Sequence, residues 1–364
     1  GASLSSVPDK NRWHGFYSLG AMWDVKREEF LQSSSLFSDL RIRASFGQTA
    51  SPFGSSFAYL PTYGVTTSYG GQQGIRPNNI GNPDFDWEYV DEFNTGFDLS
   101  LFESRRVNIE FDWYNRITKN MFIEQPLSAT SGAASALLST GKMRNRGVEL
   151  KISADIIKKE EFTWTVGVNG GYNNNQILRV TDITDELPDG DTRIIKVGLP
   201  YGTYYAPQWA GVNPETGEAQ YFNRDGSIST VYNEEEQAVP LNASLYPKLT
   251  GGISTSFNWK NLTLSGLLSF VSDVQRWNNI DFYNENQAFM TSNQSKRMLY
   301  DRWKKPGDIA TLQRIDIPRN FTSKDIQDAA FMRLRNLKLN YTIPGTLFKQ
   351  TVFRSAAIFA QGEN

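Results

Sequence analysis

Val107-Asn108-Ile109-Glu110-Phe111-Asp112-Trp113-Tyr114 is the stretch on which the fold turns. Val107, Ile109, Phe111 and Trp113 alternate strictly with Asn108, Glu110, Asp112 and Tyr114. A period of two places the four apolar side chains on one side of an extended chain and mostly charge and amide on the other. Outward from this stretch the pattern repeats. Leu40, Ile42, Ala44 and Phe46 alternate with Arg41, Arg43 and Ser45, and Phe97, Leu99 and Leu101 with Gly96, Asp98 and Ser100. Val148, Leu150 and Ile152 alternate with Glu149, Lys151 and Ser153, and Phe162, Trp164, Val166 and Val168 with Thr163, Thr165 and Asn169. Leu262, Leu264, Leu268 and Phe270 alternate with Thr263, Ser265 and Ser269. About ten strands result, near 14–25, 40–48, 92–102, 106–121, 143–155, 161–177, 249–258, 262–273, 329–342 and 353–361. The ninth carries a conflict, because Arg333 and Arg335 fall in phase with Leu337 and Leu339.

The connections fall into two kinds that alternate along the chain. Glu103-Ser104-Arg105, Ile157-Lys158-Lys159-Glu160 and Trp259-Lys260-Asn261 are short, and the turn at Pro344-Gly345-Thr346-Leu347 is a little longer. Four others, near 49–91, 122–142, 178–248 and 274–328, are long and rich in Gly, Pro, Asn and Tyr. Structureless loops beyond about 15 residues are uncommon in compact domains. Short turns at one end and long loops at the other is the asymmetry of an outer-membrane barrel, whose short turns are periplasmic. Strand direction then alternates consistently through all ten, with 26–39 as a periplasmic turn of larger size. A soluble sandwich or propeller also alternates, its apolar faces meeting each other instead of lipid. Strand length favours the membrane: 106–121 and 161–177 are long, a tilted spanning strand needs about 9–11 residues, and globular strands average nearer 5–6.

Composition excludes more than it assigns. The 364 residues carry 37 Lys+Arg against 39 Asp+Glu, a net charge of −2, so no nucleic-acid partner is expected. Aromatics make up 13%, with 9 Trp and 16 Tyr beside 29 Gly, which suits a β-protein with aromatic belts. There is no Cys, which removes thiol catalysis, Cys-ligated metal centres and disulfides. A catalytic triad would have to use His14, the single histidine, and no Gly-x-Ser-x-Gly supplies its nucleophile. No phosphate-cradling Gly-rich motif is present, no cofactor or metal is expected, and no run of about 18 apolar residues could form a spanning helix.

From Leu40-Arg41-Ile42-Arg43-Ala44-Ser45-Phe46-Gly47-Gln48-Thr49 onward the chain resembles the barrel of the SusC/RagA-like family of TonB-dependent outer-membrane transporters. Gly81-Asn82-Pro83-Asp84-Phe85-Asp86-Trp87-Glu88 resembles the family's Asn-Pro-x-Leu-x-Trp-Glu segment, with Phe85 in place of Leu, and Asn94-Thr95-Gly96-Phe97-Asp98 its strand start. Asp112-Trp113-Tyr114, Gly141 to Glu149 and Tyr172-Asn173-Asn174-Asn175-Gln176-Ile177 follow in order. Gly211-Val212-Asn213-Pro214-Glu215-Thr216-Gly217, Pro306-Gly307-Asp308, Phe331 to Leu339 and Gln361-Gly362-Glu363-Asn364 complete the set.

The resemblance implies a 22-stranded barrel with an N-terminal plug in the outer membrane of a Gram-negative bacterium. It implies TonB-driven import of oligosaccharides or peptides beneath a SusD-like surface lipoprotein, with dimers of such transporter–lipoprotein pairs. No leader, plug or TonB box is read in this sequence, so residues 1–364 are expected to be one barrel fragment from about the second half of the barrel. The rival readings are a smaller passive or structural barrel of ten strands closed on itself, and a secreted soluble glycan-binding β-protein.

No bond-breaking residue set is expected. Glu234-Glu235-Glu236 lie on one loop and are poorly placed to flank a scissile bond. Asp189-Gly190-Asp191 lacks the remaining ligands of a calcium loop, and Asn223-Arg224-Asp225-Gly226 reads as a hairpin turn. The candidate substrate-binding residues are aromatics and amides of two long loops: Tyr204, Tyr205 and Trp209 in one, and Trp277, Asn278 and Tyr283 in the other, where Phe282 also lies. Flat rings for stacking with amides nearby are the groups that a sugar or peptide site requires.

Overall fold

The structure, a computed structural model, describes residues 2–51, 57, 59–348, 353 and 355–364. Residues 52–56 and 58, within the connection expected over 49–91, and residue 354, within the strand expected over 353–361, lie outside the described residues. Two compact units divide the chain. Gly1–Asp185, Lys248–Val271 and Phe331–Asn364 form the first; Glu186–Pro247 and Ser272–Ala330 form the second.

The first unit is built on a ten-stranded sheet in which each strand is hydrogen-bonded to the next in chain order. Its strands are β1 (Ser18–Asp24), β2 (Phe37–Ser51), β3 (Glu88–Leu101), β4 (Val107–Pro126) and β5 (Ser135–Lys158). The others are β6 (Phe162–Arg179), β7 (Leu249–Trp259), β8 (Leu262–Ser272), β9 (Phe331–Ile343) and β10 (Ala356–Glu363). All ten expected strands are present. The sheet is open, with β1 and β10 at its edges, so these strands do not close on themselves as a small barrel.

The register converts the alternation into two continuous faces. Ile42, Phe97, Phe111 and Leu150 stand opposite one another in a row, and Leu40, Leu99, Ile109, Ile152, Val168 and Ile253 form the next. Aromatic rings bound this apolar band at both ends. Trp164 stacks on Phe257 with centroids 5.4 Å apart near the short turns, while Phe93 meets Trp113 edge-on at 6.1 Å toward the long connections. On β6 the band runs from Trp164 to Tyr172. At about 3.3 Å per residue that is roughly 26 Å of strand, or about 20 Å of height at a tilt of about 40°, close to an outer-membrane apolar band between its girdles. Beyond the second girdle the same face turns polar: Lys119 pairs with Asp91 at 2.7 Å and Arg144 donates to Gln176 at 2.6 Å.

The conflict in the ninth strand is a β-bulge. Leu339 pairs with Leu264 and Leu337 with Gly266, but the register shifts between Leu267 and Leu268, so that Leu334 faces Leu268 and Met332 faces Phe270. One extra residue on β9 reverses the phase. Leu334 and Met332 thereby join the apolar face, and Arg333 lies across from Ser269 on the polar one.

The long connections differ from expectation in being structured. The one expected over 122–142 contracts to 127–134, because β4 and β5 continue their pairing past a bulge at Asn120, whose φ is 54°. The extension stays ordered because Ile123 is 1% exposed and Phe122 stacks on Phe85 at 5.1 Å. Phe85 belongs to a small core with Val7 and Trp87, and the Trp87 indole donates to Asn11 O at 2.7 Å. The Gly81–Glu88 segment is therefore a packing anchor, entered through Gly81 at φ 74°. The turn over 26–39 contains a 3-10 turn, Val25–Arg27, and a short helix, Glu29–Gln32. The second unit contains the connections between β6 and β7 and between β8 and β9. It holds a small antiparallel sheet centred on Thr203–Val212 and several short helices.

Leu150→Arg, at the middle of the apolar band, should cost roughly 2–4 kcal/mol of folding stability in a bilayer. Lys151→Gln, its neighbour on the polar face, gives up one exposed ion pair to Glu110 and should cost less than about 1 kcal/mol. Denaturant unfolding in lipid vesicles reads both, and equal costs would mean that the faces are misassigned.

Candidate functional site

The polar face of the sheet is laid out in charge pairs that reach across one or two strand spacings. Arg43 lies 3.0 Å from Asp98 and 2.8 Å from Asp112, and Lys151 lies 2.8 Å from Glu110. Arg116 reaches Glu92 at 3.1 Å. A hollow of about 700 Å³ opens on this face, walled by Glu110, Asp112, Glu149 and Lys151 on one side and by Gly171 and Gly252 on the other. The glycines lower the wall, because no side chain rises from the sheet there.

The second unit holds the candidate binding residues, and most of their surface is used in packing. Tyr204 is 3% exposed and its hydroxyl donates to Gln275 O at 3.4 Å, so its ring is unavailable for stacking on a ligand. The Tyr205 hydroxyl accepts from Arg224 at 3.1 Å. Trp209 packs edge-on against Tyr221, with the Lys324 ammonium 5.2 Å from its ring. Trp277 is wedged between Phe282 and Phe321, with centroids 6.0 and 5.3 Å away. Asn278 caps the short helix Asn279–Asn284, its side-chain oxygen accepting from Asp281 N at 3.0 Å. Tyr283, 42% exposed, is the most open of the six. The structure thus brings Trp277, Asn278 and Tyr283 together and places Trp209 in a separate cluster with Tyr221 and Tyr232.

The other sequence candidates resolve into local structure. Glu234, Glu235 and Glu236 occupy the first turn of a short helix capped by Asn233, where the helix dipole favours negative charge. Asp189 pairs with Arg193 across the hairpin at Gly190. Asn223 to Gly226 forms the expected turn, with Gly226 N donating to Asn223 O at 2.9 Å. His14 bonds to Gln48 at 2.7 Å and stacks near Phe16 and Tyr89. Among the described residues no group of three acidic or imidazole side chains could hold a metal.

Sequence reasoning missed a buried ionic cluster in the same unit. The Glu285 side chain is fully buried; Arg297 pairs with it, and Arg319 lies 3.5 Å away. Arg319 also pairs with Asp325 at 2.7 Å and sits over the Phe282 ring at 5.2 Å. Arg302 donates to the carbonyl of Gln313 at 2.8 Å. Burial works against the charge on Arg297, but Glu285 and Asp281 outweigh it and hold its pKa above the usual value. Burial, only partly offset by Glu285, lowers that of Arg302. Burial, reinforced by Arg319, brings Lys324 down to about 8. These partners are far apart in sequence and no local pattern links them. The ion pairs join Glu285 to Arg297 and Arg319, and Arg319 to Asp325, and so tie the connection together. Two motifs of the family resemblance also meet here. The Trp303 indole donates to Pro214 O at 2.7 Å and Gly307 N to the same carbonyl at 2.9 Å. Gly217, at φ 71°, leaves room for the Trp303 ring, since a Cβ there would come within 2.5 Å of it.

A sheet with an apolar band between aromatic girdles on one face and paired charges on the other is a segment of an outer-membrane β-barrel wall. Residues 1–293 match the family model described as TonB dependent receptor-like, beta-barrel, and the chain belongs to that family. It is 26% identical over 370 residues to the TonB-dependent receptor SusC of Bacteroides thetaiotaomicron, covering 94% of this chain and 35% of that protein. It is 24% identical over 395 residues to TonB-dependent receptor P3 of Formosa agariphila, covering 99% of this chain and 38% of that one. Among solved structures, the RagAB peptide transporter matches with a TM-score of 0.89 and 28% identity over 99% of this chain and 40% of that one. The chain spans about two fifths of the length of these relatives. Its place is the outer membrane, which sets aside the secreted soluble reading of the alternation.

Arg319→Met should leave Glu285 and Asp325 under-compensated and cost about 3–5 kcal/mol in local stability. Asp316→Asn, at the exposed pair with Arg314, should leave the connection as resistant as the wild type, because water screens such a pair. Limited proteolysis of the 272–330 connection distinguishes them. Lys324 is held below its unfolded value of about 10.4, so the folded form is penalised in full below about pH 8. The penalty lifts as pH rises from there toward 10. Hydrogen exchange over residues 311–325, corrected for intrinsic rates, should show protection rising between pH 8 and 10, and Lys324→Met should abolish the rise.

Proposed function

We propose that this chain forms part of the barrel of a TonB-dependent importer that moves oligosaccharides or peptides across the outer membrane, working with a SusD-like surface lipoprotein. The observation that carries the reading is the two-faced sheet: a lipid-facing band backs a face of paired charges and amides, the lining a polar solute needs. In this reading the long connections are extracellular, those of the second unit included, and the short turns are periplasmic. Tyr283 and Trp209 are the loop aromatics best placed to meet substrate or lipoprotein, since Tyr204 is enclosed. The likeness to the RagAB peptide transporter and to SusC supports import as the activity.

A deletion strain complemented with the full-length gene tests the proposal. Uptake of labelled peptides or malto-oligosaccharides should be restored by the gene, abolished by loss of TonB, and accompanied by co-purification of the lipoprotein with the tagged transporter. Uptake that survives loss of TonB would make the protein a passive pore.

A further inference from the structure

Asn145 lies at the centre of a strip of polar side chains on the charged face of the sheet, level with and beyond the girdle of Phe93 and Trp113. Glu92, Arg116, Asn145 and Asn175 stand opposite one another on β3 to β6, and Asn94, Tyr114, Gly147 and Asn173 form the adjoining row. The strip is held from within. Asn145 Oδ1 accepts from Asn173 Nδ2 at 3.0 Å and from Asn175 Nδ2 at 2.8 Å, and the Tyr114 hydroxyl donates to Asn173 at 3.1 Å. Tyr114, 6% exposed, lies over Gly147, where a Cβ would come within 2.6 Å of the hydroxyl. The Arg116 guanidinium covers its ring at 4.5 Å while pairing with Glu92.

These bonds fix Asn145 by its oxygen and leave its Nδ2 donor without a partner among the described residues; the Asn94 amide has none there either. We infer that this strip is a binding site for the main chain of an extended peptide, a reading that rests on the import function proposed above. Side-chain amides match peptide groups donor for acceptor, and the Glu92–Arg116 pair can meet charge of either sign. Three strand spacings of about 4.8 Å make the strip roughly 14 Å wide, the length of about four extended residues. An oligosaccharide would call for a bare ring to stack on. The single aromatic ring of the strip is buried and capped by Arg116.

Asn145→Asp is the discriminating substitution, because it keeps an oxygen that accepts from Asn173 and Asn175 and turns the outward donor into a negatively charged acceptor. Arg146→Gln, one residue on and on the opposite face, is the control. The full-length transporter, purified in detergent, is incubated with a casein digest or with a malto-oligosaccharide mixture, and the retained molecules are counted by mass spectrometry. The wild type and Arg146→Gln should retain casein peptides, and Asn145→Asp should retain at least about tenfold less, with all three keeping the heat-modifiable gel mobility of a folded barrel. Equal peptide retention by Asn145→Asp would overturn the site while leaving import untouched. Retention of malto-oligosaccharides in place of peptides would overturn the peptide assignment, and retention of neither by the wild type would overturn the import reading itself.

Discussion

Hydrocarbon offers no water to a backbone amide or carbonyl, and each unmet group costs several kcal/mol. For a chain that crosses lipid as strands, this requirement governs everything else. It forces each strand to pair along its length with its neighbour, which is why β2 to β6 keep an almost unbroken antiparallel register over their spanning portions. It also accounts for how the sheet meets local irregularity. The bulge in β9 adds one residue without ending the ladder, so that the pairing with β8 continues while the phase of the side chains reverses.

Because pairing is settled by the backbone, side chains are released to serve two solvents. One face has to be apolar only for the height of the membrane, and the switch from Phe93 to Asp91 on β3 and from Val148 to Arg146 on β5 marks where that height ends. The other face is under no such constraint and is filled with ion pairs that are part-exposed, such as Arg43 with Asp98 and Asp112. Pairs of this kind contribute modestly to stability. In the import function proposed above their effect on a solute would be larger, since they set which charges and hydrogen-bonding groups it meets along the wall.

This division also explains what could be read from the sequence. Period-two alternation is a local signal, so all ten strands and their directions were legible, whereas the β9 bulge showed only as a conflict, with Arg333 and Arg335 in phase with Leu337 and Leu339. The extension of β4 and β5 was not legible, because Phe122 and Leu137 pack against the distant Phe85 and Trp87 core and not against lipid. The buried charges of the second unit were hidden for the same reason. A Glu285 in a polar loop reads as solvated until Arg297 and Arg319 arrive from 12 and 34 residues away. The loop aromatics were visible but misleading in one respect. Aromatic composition announces stacking without saying on what, and Trp277 and Tyr204 turn inward to their own unit.

The polar strip around Asn145 shows why such a face is harder to read than an apolar one. Its geometry depends on Gly147, which no ligand need touch: the missing side chain lets Tyr114 lie flat, Tyr114 then orients Asn173, and Asn173 orients Asn145. A hydrogen bond carries direction, so each partner fixes which atom of the next remains outward. An apolar row has no such chain of dependence, and Ile109 could become Leu with little consequence for Ile152 opposite. The lipid face can therefore drift residue by residue, while the polar face is fixed as a set.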